Sequence, residues 1–446
     1  MPATSQAVTA SPGSNADASD RQRSAIRGAV LSEFVDMFDI YLPAVVLSPA
    51  LFYFQPAHLS PGLDAILGSL VFITTLLGRP VGALLFGMVA DRSGRRMASI
   101  TSVAGFGIIT LAIAMLPGYQ DIGIASYWLL VILRFLDGIC LGGGYTGAVP
   151  LAFESARKHR RGLVGGSIMA SFPAAYVAIT LLAMLMFAMF PLAGADSPYA
   201  RWGWRIPFVI GALLAGVLAL YYVFKVSESE IWKSETGEGR KKVRLSEMLR
   251  GRSGRSLLQV IVMMTGFWLT QNIITIFVPT TLLPRFLHLS RFDLTLTLLV
   301  SYTVLIFTYL ASGIIAQHIG RRRFFLILGP AIATAGSAVL YVLVSAEALP
   351  LPAVIGLVCL LSVLVTSPWG VIITYINERF ATEVRATGFG IGFSLSVIIP
   401  SFYAFYMNGL STFMPFRLTP VLLLCLGGLI GTIGAAMGPE TRDVDF

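Results

Sequence analysis

Twelve stretches of this chain are each long and apolar enough to cross a lipid bilayer, and no other feature limits its folding options so sharply. A helix needs about 20 predominantly apolar residues to span a hydrocarbon core of roughly 30 Å. Such stretches fall at residues 26–51, 64–90, 97–117, 126–153, 162–190, 204–225, 256–284, 291–317, 323–345, 352–378, 384–408 and 417–437. The segments between them carry proline, glycine or charge. Composition agrees: hydrophobic residues make up 56% of the chain and charged residues only 12%. Charged residues of a soluble domain run near ~25%. A water-soluble protein of 446 residues would need far more polar surface. The expected class is an all-α membrane protein.

The longest polar stretch, residues 227–255, leaves six helices before it and six after. The expected organisation is a disordered cytosolic tail (1–24), a six-helix bundle (25–226), a cytosolic linker (227–254), a second six-helix bundle (255–438) and a cytosolic tail (439–446). An amphipathic surface helix is expected in the linker over 245–249. Residues 1–24 lack the apolar run of a signal peptide. With the N-terminus inside, 25 of the 32 Lys and Arg residues fall in cytosolic segments and five outside. That bias places both termini in the cytoplasm of a multi-pass protein of the cell membrane, a bacterial inner membrane by expectation. It also accounts for the net charge of +9 without nucleic acid as a partner. Cys140, Cys359 and Cys425 lie in apolar stretches and show no metal-ligand spacing. The four histidines form no cluster, so no metal site is expected.

An internal repeat is present. Gly87, Asp91, Gly94, Arg95 and Arg96 recur as Gly313, Gln317, Gly320, Arg321 and Arg322 at an offset of 226 residues. Glu154 and Arg161 recur as Glu378 and Arg385 at an offset of 224. Two motifs at nearly one offset indicate duplicated halves of parallel topology. With these residues the chain resembles the major facilitator superfamily, whose signature loop between helices two and three matches Gly87 to Arg96. It looks most like the metabolite:proton symporters, with sugar-porter features, through Asp36 and Asp39 on helix one, Gly78-Arg79-Pro80 on helix two, Gly203 to Phe208 and Gly438 to Arg442. The resemblance implies two pseudo-symmetric six-helix bundles that work by alternating access. The chain departs from the pattern at Gly144-Tyr145, where related symporters carry a glutamate after paired glycines, and at Asp137, where they usually carry glutamine.

Charge inside a membrane span is costly and needs a reason, at roughly 2.5–3.5 kcal/mol per residue on insertion scales. Glu33, Asp36 and Asp39 on helix one recur every three residues and cover an arc of roughly 120°. Asp36 lies about 15 Å into its helix, and Arg79 on helix two and Arg134 on helix four reach a similar depth. One reading is a proton and substrate site. A carboxylate in a low-dielectric cavity takes up a proton more readily than in water, so Asp36, Asp39 and Glu33 are candidates for coupling. Arg79 and Arg134 could fork onto a substrate carboxylate. The other reading is permanent pairing of these acids with Arg79 or Arg134 to hold helices together, with Asp137 as a further partner. Asp137, Tyr145, Gln271, Asn272, Tyr302, Trp369 and Tyr375 are the remaining candidates for a substrate cavity.

The resemblance also implies that Asp91, Arg95 and Arg96 belong to a cytosolic lock between the halves, with Glu154–Arg161 and Glu378–Arg385 as further gate pairs. Gly138-x-x-x-Gly142 and Gly143-x-x-x-Gly147 offer small faces for close helix approach. There is no Walker motif, so ATP does not drive the protein directly and the proton gradient is the expected energy source, with no cofactor and no enzymatic activity. The expected function is proton symport of a small organic acid by a monomer in the bilayer. The alternatives are symport of a zwitterion such as a betaine or proline, and export by antiport. The glycine-proline motif typical of exporters is missing from helix five.

Overall fold

The computed structural model describes residues 12–56, 61–191, 197–229, 251–346 and 348–445. Twelve helical spans are long and apolar enough to cross a membrane. They are α1 (Asp20–Phe54), α2 (Leu70–Ser93), α3 (Arg95–Ala114), α4 (Ala125–Ser155), α5 (Lys158–Met189), α6 (Tyr199–Lys225), α7 (Gly251–Phe286), α8 (Arg291–Ile319), α9 (Arg321–Ser345), α10 (Leu351–Arg379), α11 (Thr382–Leu410) and α12 (Phe416–Ala436). All twelve expected spans are present. Two boundaries differ. The helix leading into α1 starts at Pro12, so residues 12–24 are helical rather than a disordered tail. Proline at the first helical position is pre-organised for a helix, and no other proline follows before Pro43. Span α7 starts at Gly251, inside the expected linker. Residues 230–250 of that linker, with the helix expected over 245–249, lie outside the described residues, as do residues 1–11.

Glycine sets how closely the helices approach. Within the first half, α2 packs most extensively on α4, and within the second half α7 packs most extensively on α12. Gly78 and Gly82 of α2 face the backbone of α4 around Phe135 and Ile139. Gly138 and Gly142 of α4 return the contact on the backbone of Thr75 and Arg79. A Cβ at any of these four positions would overlap a carbonyl oxygen. The second half repeats the device with Gly266 against Gly427 and Gly431. Between the halves, α5 meets α8 through Gly162, Gly166 and Gly313, while α2 meets α11. Hydrocarbon gives no hydrophobic reward for helix association, so such close van der Waals contact supplies much of it.

The second half is less regular than the first. Proline removes a backbone donor and disturbs the ladder of the preceding turn. In α7 the backbone turns π-helical over Ile273–Phe286, a segment containing Pro279 and Pro284. Span α10 breaks between Thr366 and Trp369 at Ser367-Pro368, and α11 breaks after Leu395.

One end of the bundle carries the basic loops, and there the halves are tied together by a two-fold repeated network. Asp91 Oδ2 accepts from Thr387 N at 3.1 Å and Thr387 Oγ1 at 2.5 Å, at the start of a helix of the other half. Gln317, the second copy of that position, accepts from Gly162 N at 2.9 Å at the start of α5. Buried Glu154 holds Arg95 of its own half at 3.3 Å and Arg385 of the other at 3.0 Å. Arg95 also donates to Thr382 O at 2.8 Å, across the halves. In the second copy Arg321 pairs with Glu378 at 3.3 Å. Arg161 crosses the halves to Val444 O at 2.7 Å. Gly94 and Gly320, at φ 107° and 104°, turn the chain into α3 and α9. Only glycine adopts this conformation without strain. The freed helix N-termini are capped by Glu228, which accepts from Arg95 N and Arg96 N, and by Glu440, which accepts from Arg321 N and Arg322 N.

Two predictions follow from packing and from charge burial. Gly82→Leu is expected to abolish recovery of folded protein in a fluorescence-detected size-exclusion assay, whereas Gly356→Ala, which faces open space, leaves recovery unchanged. Glu154→Ala leaves two buried guanidinium groups without their shared carboxylate, a loss of about 3–5 kcal/mol for a broken buried pair. Its thermal unfolding midpoint in detergent should fall clearly. Asp445→Asn, which removes the exposed pair with Lys158, should leave that midpoint where it is.

Candidate solute and proton site

Between the halves, at the level where α7, α10 and α11 break, lies a small cavity of about 50 Å³. The first half lines it with Glu33 and Tyr41 from α1, Phe72 and Arg79 from α2 and Phe172 from α5. The second half contributes Trp268, Gln271 and Asn272 from α7, Trp369 from α10 and Phe393 from α11. The wall is therefore aromatic, with a small set of polar groups. Trp268, Trp369 and Phe393 form one edge-to-face cluster, with ring centroids 4.5–6.0 Å apart.

Some polar groups of this cavity are held by the protein, Asn272 Nδ2 donating to Pro400 O and Trp268 Nε1 to Phe393 O, but others in and beside it lack protein partners. Arg79 is 4% exposed, and its Nε and Nη2 find no acceptor. Its guanidinium sits 5.0 Å from the centre of the Tyr145 ring, and no carboxylate pairs with it among the described residues. Asp36 is 1% exposed, and neither of its carboxyl oxygens has a hydrogen-bond partner. Glu33 lines the cavity without an ion pair among the described residues. Trp369 Nε1 and Gln271 Oε1 are also unpartnered. A buried polar group without a partner costs about 1–3 kcal/mol, and more if charged. A cluster of them around one cavity is a binding surface whose partners come from outside the chain.

The three acids of α1 divide along their arc. Glu33 faces the cavity, Asp36 lies against Gly144 of α4, and Asp39 points into the first bundle. Arg134 pairs with Asp137 at 3.1 Å and with Asp39 at 3.5 Å, and Asp39 also accepts from Thr110 Oγ1 at 2.5 Å. This cluster does not line the cavity, so the expected contact of Arg134 and Asp137 with substrate gives way to pairing between helices.

The aromatic candidates also divide. Trp369, Gln271 and Asn272 line the cavity as expected. Tyr145 lies behind it, its hydroxyl on Ser394 of the other half. Tyr302 stacks on Tyr176 at 3.8 Å across the α5–α8 contact. Tyr375 is remote from the cavity: its hydroxyl donates to Pro439 O at 3.3 Å at the basic end, and its ring packs on Phe325. Sequence reasoning missed Trp268, Tyr41 and Phe172 of the wall. One turn separates Trp268 from Gln271 and Asn272, which is the signal that could have found it. It also missed Glu228 and Ser229, the latter bound to Glu154 at 2.5 Å. The pair Glu440-Thr441 repeats them after α12, with Thr441 on Glu378 at 2.7 Å.

Comparison with known proteins gives the frame. The Proline/betaine transporter of Escherichia coli strain K12 is 28% identical over 445 residues, covering 94% of this chain and 84% of that one. The Inner membrane metabolite transport protein YhjE of the same strain is 28% identical over 393 residues, covering 85% of each. Among solved structures, the proton:xylose symporter XylE bound to 6-bromo-6-deoxy-D-glucose superposes with a TM-score of 0.75 at 19% identity, over 95% of this chain and 97% of that one. The family model of the Major Facilitator Superfamily matches residues 29–404. With twelve membrane-spanning helices in two repeated halves around a central cavity, the chain belongs to the major facilitator superfamily and is a membrane transporter.

Proposed function

We propose that this transporter takes up a small zwitterion carrying a carboxylate and an amine or quaternary ammonium group, coupled to proton entry. The observation that carries the reading is the presence, in one cavity, of the Arg79 guanidinium, an aromatic wall and the acid Glu33, with unpartnered Asp36 one turn further along α1. Arg79 would fork onto the solute carboxylate through Nε and Nη2, which have no acceptor in the protein. The faces of Trp268, Trp369 and Phe393 would hold the cationic end, since a ring face attracts a cation by about 0.5–2 kcal/mol. Glu33 and Asp36 would carry the coupling proton. The names of the relatives, a proline/betaine transporter and a metabolite transport protein, support this class. A small organic acid is the second reading, favoured by Arg79 as the single cation of the cavity lining. The distribution of basic residues supports a cytoplasmic basic end with both termini inside. On that reading Asp91, Arg95, Arg96, Glu154, Arg161, Glu378 and Arg385 close the cytoplasmic side, and their contacts break when the site opens inward.

The test is uptake by the protein reconstituted in liposomes, with external pH recorded as proline, betaines, dicarboxylates and aromatic acids are added singly. Alkalinisation on adding a zwitterion, and not an acid, is expected. Alkalinisation with acids alone would replace the first reading with the second. Labelled-solute exchange without any pH change would overturn proton coupling.

Variants locate the roles. Arg79→Ala is expected to raise KM about 10–100-fold, the loss of a charged hydrogen-bonding partner worth roughly 1.5–3 kcal/mol. Asp36→Asn is expected to keep solute exchange and lose the solute-driven pH change. An Asp36→Asn protein with full alkalinisation would remove Asp36 from the coupling scheme.

A further inference from the structure

Tyr145 of α4 is buried and does not line the cavity, yet it touches the cavity's one arginine and one of its walls. The Arg79 guanidinium lies over its ring, 5.0 Å from the ring centre. The ring packs on Phe393 of the wall and on Phe389, with centroids 5.3 and 5.9 Å apart. Its hydroxyl meets Ser394 Oγ. These three partners all belong to α11, so the ring is fixed from the second half.

Local packing brings the arginine to this ring. Gly142 precedes Tyr145 by three residues and shares its face of α4. Without a side chain at Gly142, α4 rests directly on the backbone of Arg79, where a Cβ would fall 2.3 Å from Arg79 O. The base of the Arg79 side chain is therefore held against α4, and Tyr145, one turn on, receives the guanidinium.

The kind of support matters for what Arg79 can still do. A carboxylate would stabilise the buried cation but would occupy its N–H groups. A ring face attracts a cation through its quadrupole and accepts it without taking up those donors. Arg79 accordingly lines the cavity with Nε and Nη2 still without an acceptor. Those adjacent nitrogens are the fork that a carboxylate would fill.

We propose that Tyr145 is the positioning residue for Arg79: its ring face holds the guanidinium in the cavity while leaving the fork open for a solute carboxylate. This role rests on the proposed contact of Arg79 with the solute. Because α11 anchors the ring, the position of Arg79 is set by both halves, although Arg79 and Tyr145 both belong to the first.

The test is uptake of labelled proline and glycine betaine, as probe solutes, by the full-length protein in liposomes. Tyr145 is replaced by phenylalanine and by its mono-, di- and trifluorinated forms, which drain negative charge from the ring face with little change in size. KM is expected to rise stepwise along the series, to about 10-fold from phenylalanine to the trifluorinated ring, with the maximal rate within about twofold. In an Arg79→Ala background the same series should leave KM flat. Tyr145→Leu, which removes the ring face, should raise KM by about 10-fold or more and add nothing to Arg79→Ala. A flat KM along the series, with Arg79→Ala still raising KM, overturns the positioning role and leaves the solute contact of Arg79 standing. An unchanged KM in Arg79→Ala, or a wild type that moves neither probe, overturns that contact and this role with it. If the fluorinated proteins are not recovered folded, Tyr145→Leu decides, an unchanged KM overturning the role.

Discussion

The cost of placing charge in hydrocarbon organises this molecule. Every Asp, Glu, Lys and Arg at mid-membrane depth among the described residues lies in the first half: Glu33, Asp36, Asp39, Arg79, Arg134 and Asp137. The structure meets the cost in two ways. Asp39, Arg134 and Asp137 pair with one another inside the bundle. Glu33, Asp36 and Arg79 have no ion pair among the described residues; Glu33 and Arg79 line the cavity, and Asp36 lies against Gly144 of α4. A transporter requires the second arrangement, because a site saturated by its own side chains has nothing left to offer a solute or a proton.

The basic end applies the same constraint where the two halves meet. Glu154 is shared by Arg95 and Arg385, one from each half, and Asp91 and Gln317 reach the starts of helices across the divide. A helix N-terminus offers unsatisfied N–H groups and a partial positive charge, so it suits a carboxylate or an amide oxygen. The contacts are hydrogen bonds and ion pairs near the end of the bundle, where water can replace them once the halves part. Glycine contacts within each half bring backbone against backbone and have no such substitute. The difference in chemistry marks which contacts can exchange between states and which keep each half rigid.

Much of this was legible in the sequence. Span count, duplication and the charged motifs at the basic end follow from hydropathy, from the near-constant offset of two motifs and from the signature loop. The depth of Arg134 also indicated its meeting with the acids of α1. Which acid meets which base was not legible, because an arc of 120° on α1 faces three neighbours and one residue's rotation decides between them. Tyr375 shows a related limit: an aromatic in a membrane helix reads the same whether it lines a cavity or packs beneath a tail. The start of the first helix was misread because polarity was taken for disorder, while Pro12 and the proline-free run after it allow a helix in water. Glu228 went unseen because its partners are backbone amides, which carry no sequence signal of their own, and Ser229 because its partner Glu154 is distant in the chain.

The two halves share a repeat but not a chemistry, and the division bears on how coupling can work. The second half has no Asp, Glu, Lys or Arg at mid-membrane depth. It contributes Trp268, Gln271, Asn272, Trp369 and Phe393 on helices that break at that level. Broken helices can shift locally at small cost, since their ladders are already interrupted, and aromatic or amide groups tolerate changes in distance better than ion pairs do. Charges need fixed geometry, and the close-packed α2–α4 pair supplies it around Arg79. On the proposed reading, the rigid half holds the proton and the solute carboxylate while the adaptable half closes around the remainder. The free energy linking proton to solute is then set within one bundle, between Arg79 and its neighbouring acids, and the movement of the halves carries both across together.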